Sequence, residues 1–169
     1  HVPLIADGEH KTHHLLGDNL NLVRRNAHFI HTSRGGVVDE ANLIRIAKEK
    51  ELNLAIDVWE NEPNISKELI AISRIATPHI AGHSHNAKLN ASQMILNDLF
   101  AKGLSKQTYI IGNRHGEDTK ESNIIEKLEL AKERRKINED SLKFKAHPEM
   151  FSDIRKHYPP CQESLFTKK

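Results

Sequence analysis

The sequence predicts an α/β fold in which parallel strands are joined by crossover helices. Two short apolar segments, 27–32 and 52–58, each end in a polar loop, and a third, 74–77, follows a short helical segment near 66–71. Apolar runs of this length that are closed by polar loops are typical of buried strands. Because helical segments alternate with them, parallel pairing through crossover connections is favoured.

The predicted helices have recognisable starts, ends and apolar faces. Asp39 is placed to cap a helix whose apolar face carries Leu43, Ile44 and Ala47. After Gly82 the apolar residues fall at helical spacing, which predicts a longer helix with a core-facing stripe that ends at Gly103. The members of that stripe are Ala91, Met94, Ile95 and Leu99.

The final third of the chain has a different composition and is expected to form a small separate α/β or α-rich module. The stretch 112–119 is polar and contains glycine, as linkers do, and 126–136 alternates in charge, which favours a solvated helical face. Pro148 is suited to the first turn of a last helix. Its apolar side would carry Phe151, Ile154 and Tyr158.

The composition excludes several classes of protein. With 37% hydrophobic and 28% charged residues, the chain of 169 residues is neither disordered nor membrane-spanning in character. Twenty-five basic and twenty-three acidic side chains are interleaved, and the net charge of +2 predicts no nucleic-acid partner. The single cysteine, Cys161, has no partner within the chain, which favours a reducing, cytoplasmic location.

Polar side chains with chemical potential lie where the three predicted strands end. Arg34 follows the first strand, Asp57 and Glu62 follow the second, and His79 follows the third. Open parallel sheets bind ligands at the carboxyl ends of their strands, so these side chains are expected to meet there. A histidine beside a carboxylate is suited to acid/base work, and an arginine can grip a carboxylate at two points. Taken singly, each is also an ordinary loop residue.

Three ordered segments resemble the signatures of the D-2-hydroxyacid dehydrogenases. They read HTSRGGVVD from His31 to Asp39, DVWENEP from Asp57 to Pro63, and TPHIAG from Thr77 to Gly82. The resemblance implies the second half of a Rossmann-like doubly wound parallel sheet that binds NAD. It also implies that Arg34 binds the substrate carboxylate, that Glu62 pairs with His79, and that His79 accepts the hydroxyl proton. The implied cofactor-binding residues are Val2, Thr32, Ser33, Asp57 and Gly82.

Within this family the chain resembles the 4-phosphoerythronate dehydrogenase subgroup. The short connection from Glu62 to His79 and the tail with Pro148, Phe151, Arg155 and Tyr158 carry that likeness. It implies a small phosphorylated 2-hydroxy acid as substrate and a homodimer. The implied domains are the carboxy-terminal half of the NAD-binding domain at 1–86, a connecting helix and linker at 87–112, and a small α+β dimerisation domain at 113–169.

Two departures from the family pattern concern histidines, and one concerns glycines. His31 stands where the family commonly has asparagine, and His83 stands where the subgroup has a substrate-contacting tyrosine. The eight glycines form no Gly-x-Gly-x-x-Gly pattern, so the loop that would hold the cofactor's pyrophosphate is missing. Since the chain also starts at His1 without a methionine, we expect a fragment of a longer protein, inactive by itself.

Other functions remain open from the sequence. One alternative is a dehydrogenase for another D-2-hydroxy acid, such as 3-phosphoglycerate, and another is a non-catalytic remnant or dimerisation module. Twelve histidines, with small clusters at 10–14 and 83–85, also raise the question of metal binding. We expect no metal, because the clusters have no cysteine beside them and no element that places them on one face.

Overall fold

The computed structural model describes residues 2–83, 85–104 and 136–158. The chain divides into two compact units, and each is described by itself. The first comprises His1–Ala81 and Ile137–His157, and the second comprises Gly82–Lys136 and Tyr158–Lys169. The segment 137–157 is therefore grouped with the amino-terminal residues, from which it is distant in sequence.

The first unit is built on a parallel sheet of three strands. These are β1 (His28–His31), β2 (Asn53–Ile56) and β3 (Ile75–Ala76), paired in the order β1-β2-β3. The predicted α/β fold with parallel strands is confirmed, and each strand is shorter at both ends than its apolar segment. All three strands end on the same edge, where the polar loops of the sequence follow them.

Two helices make the crossovers between these strands. α1 (Glu40–Lys50) begins after Asp39, whose carboxylate accepts from the Asn42 N–H at 3.0 Å, as the sequence predicts. α2 (Lys67–Ile72) begins after Ser66, whose hydroxyl accepts from the Leu69 N–H at 3.2 Å. Both helices bury an apolar face toward the sheet, and the fully buried members of these faces are Leu43, Ile46 and Leu69.

The second unit contains α3 (His85–Ala101), the long helix expected after Gly82. It ends as predicted, because Gly103 has a φ of +68° and its N–H donates to the Phe100 carbonyl. The expected core-facing stripe on this helix is wrong. Met94 is 71% exposed and Ile95 is 62% exposed, so helical spacing alone did not identify a buried face.

The carboxy-terminal part of the first unit is helical. α4 (Ile137–Ala146) is followed by a 3-10 turn (Pro148–Met150) with proline in its first turn, and then by α5 (Phe151–Lys156). Phe144 and Phe151 are buried, with ring centroids 6.0 Å apart, and Phe144 lies at the same distance from the Trp59 ring. This aromatic cluster fixes α4 and α5 to the core of the first unit.

One edge of the sheet is covered by the chain itself. The Ala76 N–H in β3 donates to the Ser141 hydroxyl of α4 at 2.9 Å, and Lys145 donates to the Ser73 carbonyl at 2.8 Å. A helix that satisfies edge groups in this way blocks further strand pairing. On the opposite side, Ile30 of β1 remains 72% exposed.

Several expectations fall outside the described residues. These are the linker at 112–119, most of the charged segment at 126–136, and Cys161. The dimerisation role of 113–169 stays a prediction. In the part of the chain that the structure describes, no helix is both long and apolar enough to pass through a bilayer.

Candidate active site

A hydrogen bond between Glu62 and His79 joins the loops after β2 and β3. Glu62 Oε2 lies 2.9 Å from His79 Nδ1, and Oε1 of the same carboxylate lies 3.2 Å from it. Glu62 Oε1 also accepts from the Trp59 N–H at 2.9 Å, so the carboxylate is held within its own loop. The two side chains are 22% and 20% exposed, which leaves the pair open to a ligand.

Arg34 lies in the loop after β1, at the same edge of the sheet. Its side chain is exposed, and Nη1 donates to the Ser33 carbonyl at 2.7 Å. A guanidinium has five N–H donors, so this bond leaves donors for an incoming carboxylate. Gly35 lets the loop pass close to the next one, because a Cβ there would lie 1.8 Å from the Trp59 carbonyl oxygen.

Asp57 is a structural anchor for the loop that carries His79. Its buried carboxylate accepts from the Thr77 hydroxyl at 2.6 Å and from the N–H groups of Ile80 and Ala81 at 2.8 and 2.9 Å. The family resemblance implied a cofactor contact for Asp57, and the sequence gave no sign of this internal role. A carboxylate has about four acceptor positions, so one remains for another donor.

Three of the five residues expected to line the cofactor, Val2, Thr32 and Ser33, lie together beside β1. Ser33 is buried and binds Val2 twice, since its hydroxyl accepts from the Val2 N–H at 3.0 Å and donates to the Val2 carbonyl at 2.8 Å. Both residues and Thr32 line a cavity of about 310 Å³. Its remaining walls are largely apolar and comprise Leu15, Leu16, Phe29, Ile30, His31, Val37 and Val38.

This cavity fits part of a dinucleotide. Ligand pockets of this size combine apolar walls with a few polar groups that orient the ligand. Here Ser33 and Thr32 supply the polar groups beside an apolar wall. The chain holds no glycine-rich loop for the pyrophosphate, so the fit concerns a ring-bearing end of the cofactor and not its centre.

Two expected site residues belong to the second unit. Gly82 has a φ of +74°, a left-handed conformation that suits glycine. His83 is half-buried. Their expected contacts with cofactor and substrate remain predictions.

His31 differs from the usual family residue and is buried at the end of β1. Burial lowers the pKa of His31, with a partly opposing contribution from a backbone hydrogen bond at Arg34. Its carbonyl accepts from the Asp57 N–H at 2.9 Å, which ties β1 to the start of the Asp57 loop. The buried His31 is part of the cavity wall.

Glu40 is a buried acid next to the loop of Glu60 and Glu62 that the sequence did not reveal. Its carboxylate is buried in the first turn of α1 and accepts from the Glu60 N–H at 2.6 Å. Burial is the main cause that raises the pKa of Glu40 to about 7; the hydrogen bond from the Glu60 N–H opposes it, and the charges of Glu60 and Glu62 add to it. An acidic residue after an N-cap is common at helix starts, so only its burial distinguishes it.

A histidine pair lies near the same loop. His13, His14 and Glu60 bring their ligand atoms within 4.8 Å of one another, and Glu60 Oε1 lies 2.6 Å from His14 Nε2. The two imidazole rings are stacked, with centroids 3.9 Å apart and planes inclined by only 21°. A metal lies in the plane of each imidazole that binds it, about 2.0 Å from nitrogen, so these stacked rings do not aim at one ion.

Comparison with known proteins matches the amino-terminal residues to a domain family. Residues 1–81 match the family described as D-isomer specific 2-hydroxyacid dehydrogenase, NAD binding domain. Residues 1–81 therefore belong to the NAD-binding domain of the 2-hydroxyacid dehydrogenases. The matched segment contains Arg34, Glu62 and His79, and the resemblance inferred from the sequence is confirmed.

Curated relatives extend the likeness beyond that domain. The chain is 37% identical over 168 residues to erythronate-4-phosphate dehydrogenase of Bacteroides thetaiotaomicron, covering 96% of this chain and 47% of the relative. It is 34% identical over 184 residues to the enzyme of the same name from Pseudomonas paraeruginosa, covering 96% and 48%. The corresponding Wigglesworthia glossinidia brevipalpis protein is 44% identical over 101 residues, covering 59% and 27%. The chain thus spans about half the length of the curated relatives that it matches over most of its own length.

Proposed function

We propose that the chain is the carboxy-terminal part of a longer protein that oxidises 4-phospho-D-erythronate to 2-oxo-3-hydroxy-4-phosphobutanoate with NAD. The observation that carries this proposal is the Glu62–His79 pair at the carboxyl edge of the sheet. The names of the relatives support the choice of substrate. The family of residues 1–81 supports the cofactor.

The Glu62–His79 pair determines which imidazole nitrogen of His79 acts as the base. His79 Nδ1 faces the Glu62 carboxylate, so the neutral ring carries its proton there and leaves the Nε2 lone pair as the base. When Nε2 takes the proton of the C2 hydroxyl, the ring becomes an imidazolium that the carboxylate stabilises. NAD, when bound, supplies the hydride acceptor.

Arg34 is proposed to hold the substrate. Its exposed guanidinium can bind the C1 carboxylate at two points and polarise the C2 oxygen, as the planar fork of arginine allows. Both effects favour a 2-hydroxy acid over a simple alcohol. His83, which stands where the subgroup has tyrosine, is proposed as a second substrate contact.

The cofactor is proposed to lie along the cavity at β1. Val2, Thr32 and Ser33 would line it, and Asp57 and Gly82 would bound its nicotinamide side. The one acceptor position left on the Asp57 carboxylate supports a bond from the carboxamide.

We propose that the longer protein is a homodimer and is located in the cytoplasm. Dimerisation is assigned to the region 113–169, of which α4 and α5 are described. The oligomeric state is measured by light scattering of the longer protein.

The test is NADH formation by the protein expressed with its natural upstream sequence. 4-Phospho-D-erythronate is expected to be oxidised, and Arg34→Ala is expected to lose most of kcat/KM. Arg24→Ala, at an exposed arginine outside the site, is the matched control. Preference for 3-phospho-D-glycerate would replace the proposed substrate, and absence of activity with both, in a folded protein, would contradict the proposal.

A further inference from the structure

The peptide group between His79 and Ile80 is bound at both of its polar ends. Arg155 Nε in α5 donates to the His79 carbonyl oxygen at 3.1 Å. The Ile80 N–H donates to Asp57 Oδ1 at 2.8 Å. The two partners lie 76 residues after His79 and 23 residues before Ile80, so two distant parts of the chain meet at this one peptide.

The backbone at His79 needs this support. Its φ is +54°, in the left-handed region that a residue with a Cβ rarely adopts. Such a conformation persists only where the surrounding structure determines it. Because the two bonds fix the plane of the following peptide, they also fix the direction in which the His79 side chain leaves the backbone.

We propose that Arg155 is a positioning residue for His79. By holding the His79 carbonyl, Arg155 directs the imidazole toward Glu62 and keeps Nε2 turned to the substrate. This inference rests on the proposed function of His79 as the base. It gives the carboxy-terminal segment 137–157 a part in the active site, in addition to the proposed dimerisation.

The anchoring of α5 makes Arg155 suited to this role. Phe151, in the same helix, is buried against Phe144, whose ring packs on Trp59. The Trp59 indole N–H in turn donates to the Thr77 carbonyl at 2.9 Å, two residues before His79. The helix that carries Arg155 and the segment that carries His79 are therefore fixed to one buried cluster.

The kinetic test uses the longer protein with NAD and 4-phospho-D-erythronate. Arg155→Met is expected to lower kcat about 10- to 100-fold while KM changes less than about twofold, because misplacing a catalytic group slows the reaction without removing a substrate contact. Arg155→Lys is expected to recover part of kcat. Lys156→Met, at the exposed neighbouring residue, is expected to match the unsubstituted protein. A raised KM with unchanged kcat would overturn the proposal.

A spectroscopic test separates this inference from the proposed function. In the 169-residue chain with labelled histidine nitrogens, His79 is assigned by the loss of its signals in His79→Gln. Arg155→Met is expected to shift the Nδ1 signal that reports the bond to Glu62, and Lys156→Met is expected to leave it unchanged. Arg155→Leu, which also removes the N–H donor to the His79 carbonyl, gives the same comparison should Arg155→Met not fold.

The two tests have distinguishable outcomes. His79 signals that do not move in a folded Arg155 variant would sink the positioning role, whatever the activity of the longer protein. If the unsubstituted longer protein turns over neither substrate while Arg155→Met still shifts the His79 Nδ1 signal, the proposed function fails and the structural role of Arg155 stands.

Discussion

Gly35 lies directly against the backbone of Trp59. A Cβ built on Gly35 would be 1.8 Å from the Trp59 carbonyl oxygen and 2.5 Å from the carbonyl carbon. This contact joins the loop of Arg34 to the loop of Glu62, and no side chain fits between them. The relative placement of Arg34 and of the Glu62–His79 pair thus depends on the absence of a side chain at Gly35.

Gly35→Ala is expected to destabilise the first unit by about 3 kcal/mol or more, because backbone atoms must move to admit the Cβ. Gly17→Ala is the matched control, since its Cβ would lie 3.5 Å from the nearest atom, the His14 carbonyl oxygen. Trp59 is the only tryptophan and is buried, so its fluorescence during denaturant unfolding reports the free energy of unfolding. Equal stability of the two variants would contradict the close contact.

Asp57→Asn is expected to cost about 2–4 kcal/mol of unfolding free energy. The buried carboxylate accepts three hydrogen bonds, from the Thr77 hydroxyl and from the N–H groups of Ile80 and Ala81. The NH2 group of an asparagine would face at least one of these O–H or N–H groups and could not accept its hydrogen bond. Asp18→Asn, at an exposed position in a 3-10 turn, is expected to cost less than about 1 kcal/mol. Chemical denaturation followed by Trp59 fluorescence checks both values, and similar losses would argue against an anchoring role.

Glu40→Gln is expected to stabilise the first unit at high pH only. Because the pKa of Glu40 is raised from 4.5 to about 7, the folded state binds more protons than the unfolded state between these values. The stability contributed by this group is therefore complete below pH 4.5 and is lost as the pH rises through about 7. The gain from the substitution is expected to reach at most about 3 kcal/mol near pH 8.

The measurement is the free energy of unfolding at several pH values. Glu68→Gln, which removes an exposed carboxylate paired with Lys48, is the control and is expected to change stability by less than about 1 kcal/mol at every pH. A gain for Glu40→Gln that does not depend on pH would disprove the raised pKa.

Glu62→Gln is expected to lower kcat of the longer protein by about 10-fold or more, since the imidazolium formed at His79 loses its counter-charge. His79→Gln removes the base and is expected to cost about 10²- to 10⁴-fold. Glu60→Gln is a close control, because Glu60 pairs with His14 and not with His79. Steady-state kinetics with 4-phospho-D-erythronate give these values. A loss at Glu60 as large as that at Glu62 would point to loop disruption instead.

Local sequence patterns were sufficient for the α/β framework. The apolar segments around β1 and β2, the N-cap at Asp39 and the terminating Gly103 all act over a few residues, so their signals are contained in short stretches. The placement of Arg34, Asp57, Glu62 and His79 in loops at one edge of the sheet was predictable, because parallel strands joined by crossovers end at the same edge. The family was also recognisable from the motifs that contain these residues.

The tertiary structure alone decided which contacts these residues make. Asp57 bound the His79 loop, Glu40 became a buried acid behind Glu60, and Arg155 reached His79 across 76 residues of sequence. The apolar stripe of α3 was exposed, although its spacing was helical. Burial and long-range hydrogen bonds depend on which side chains pack together in space, and short local patterns do not specify those individual contacts. The sequence determined the elements and the chemistry at their ends, and packing determined how that chemistry is held.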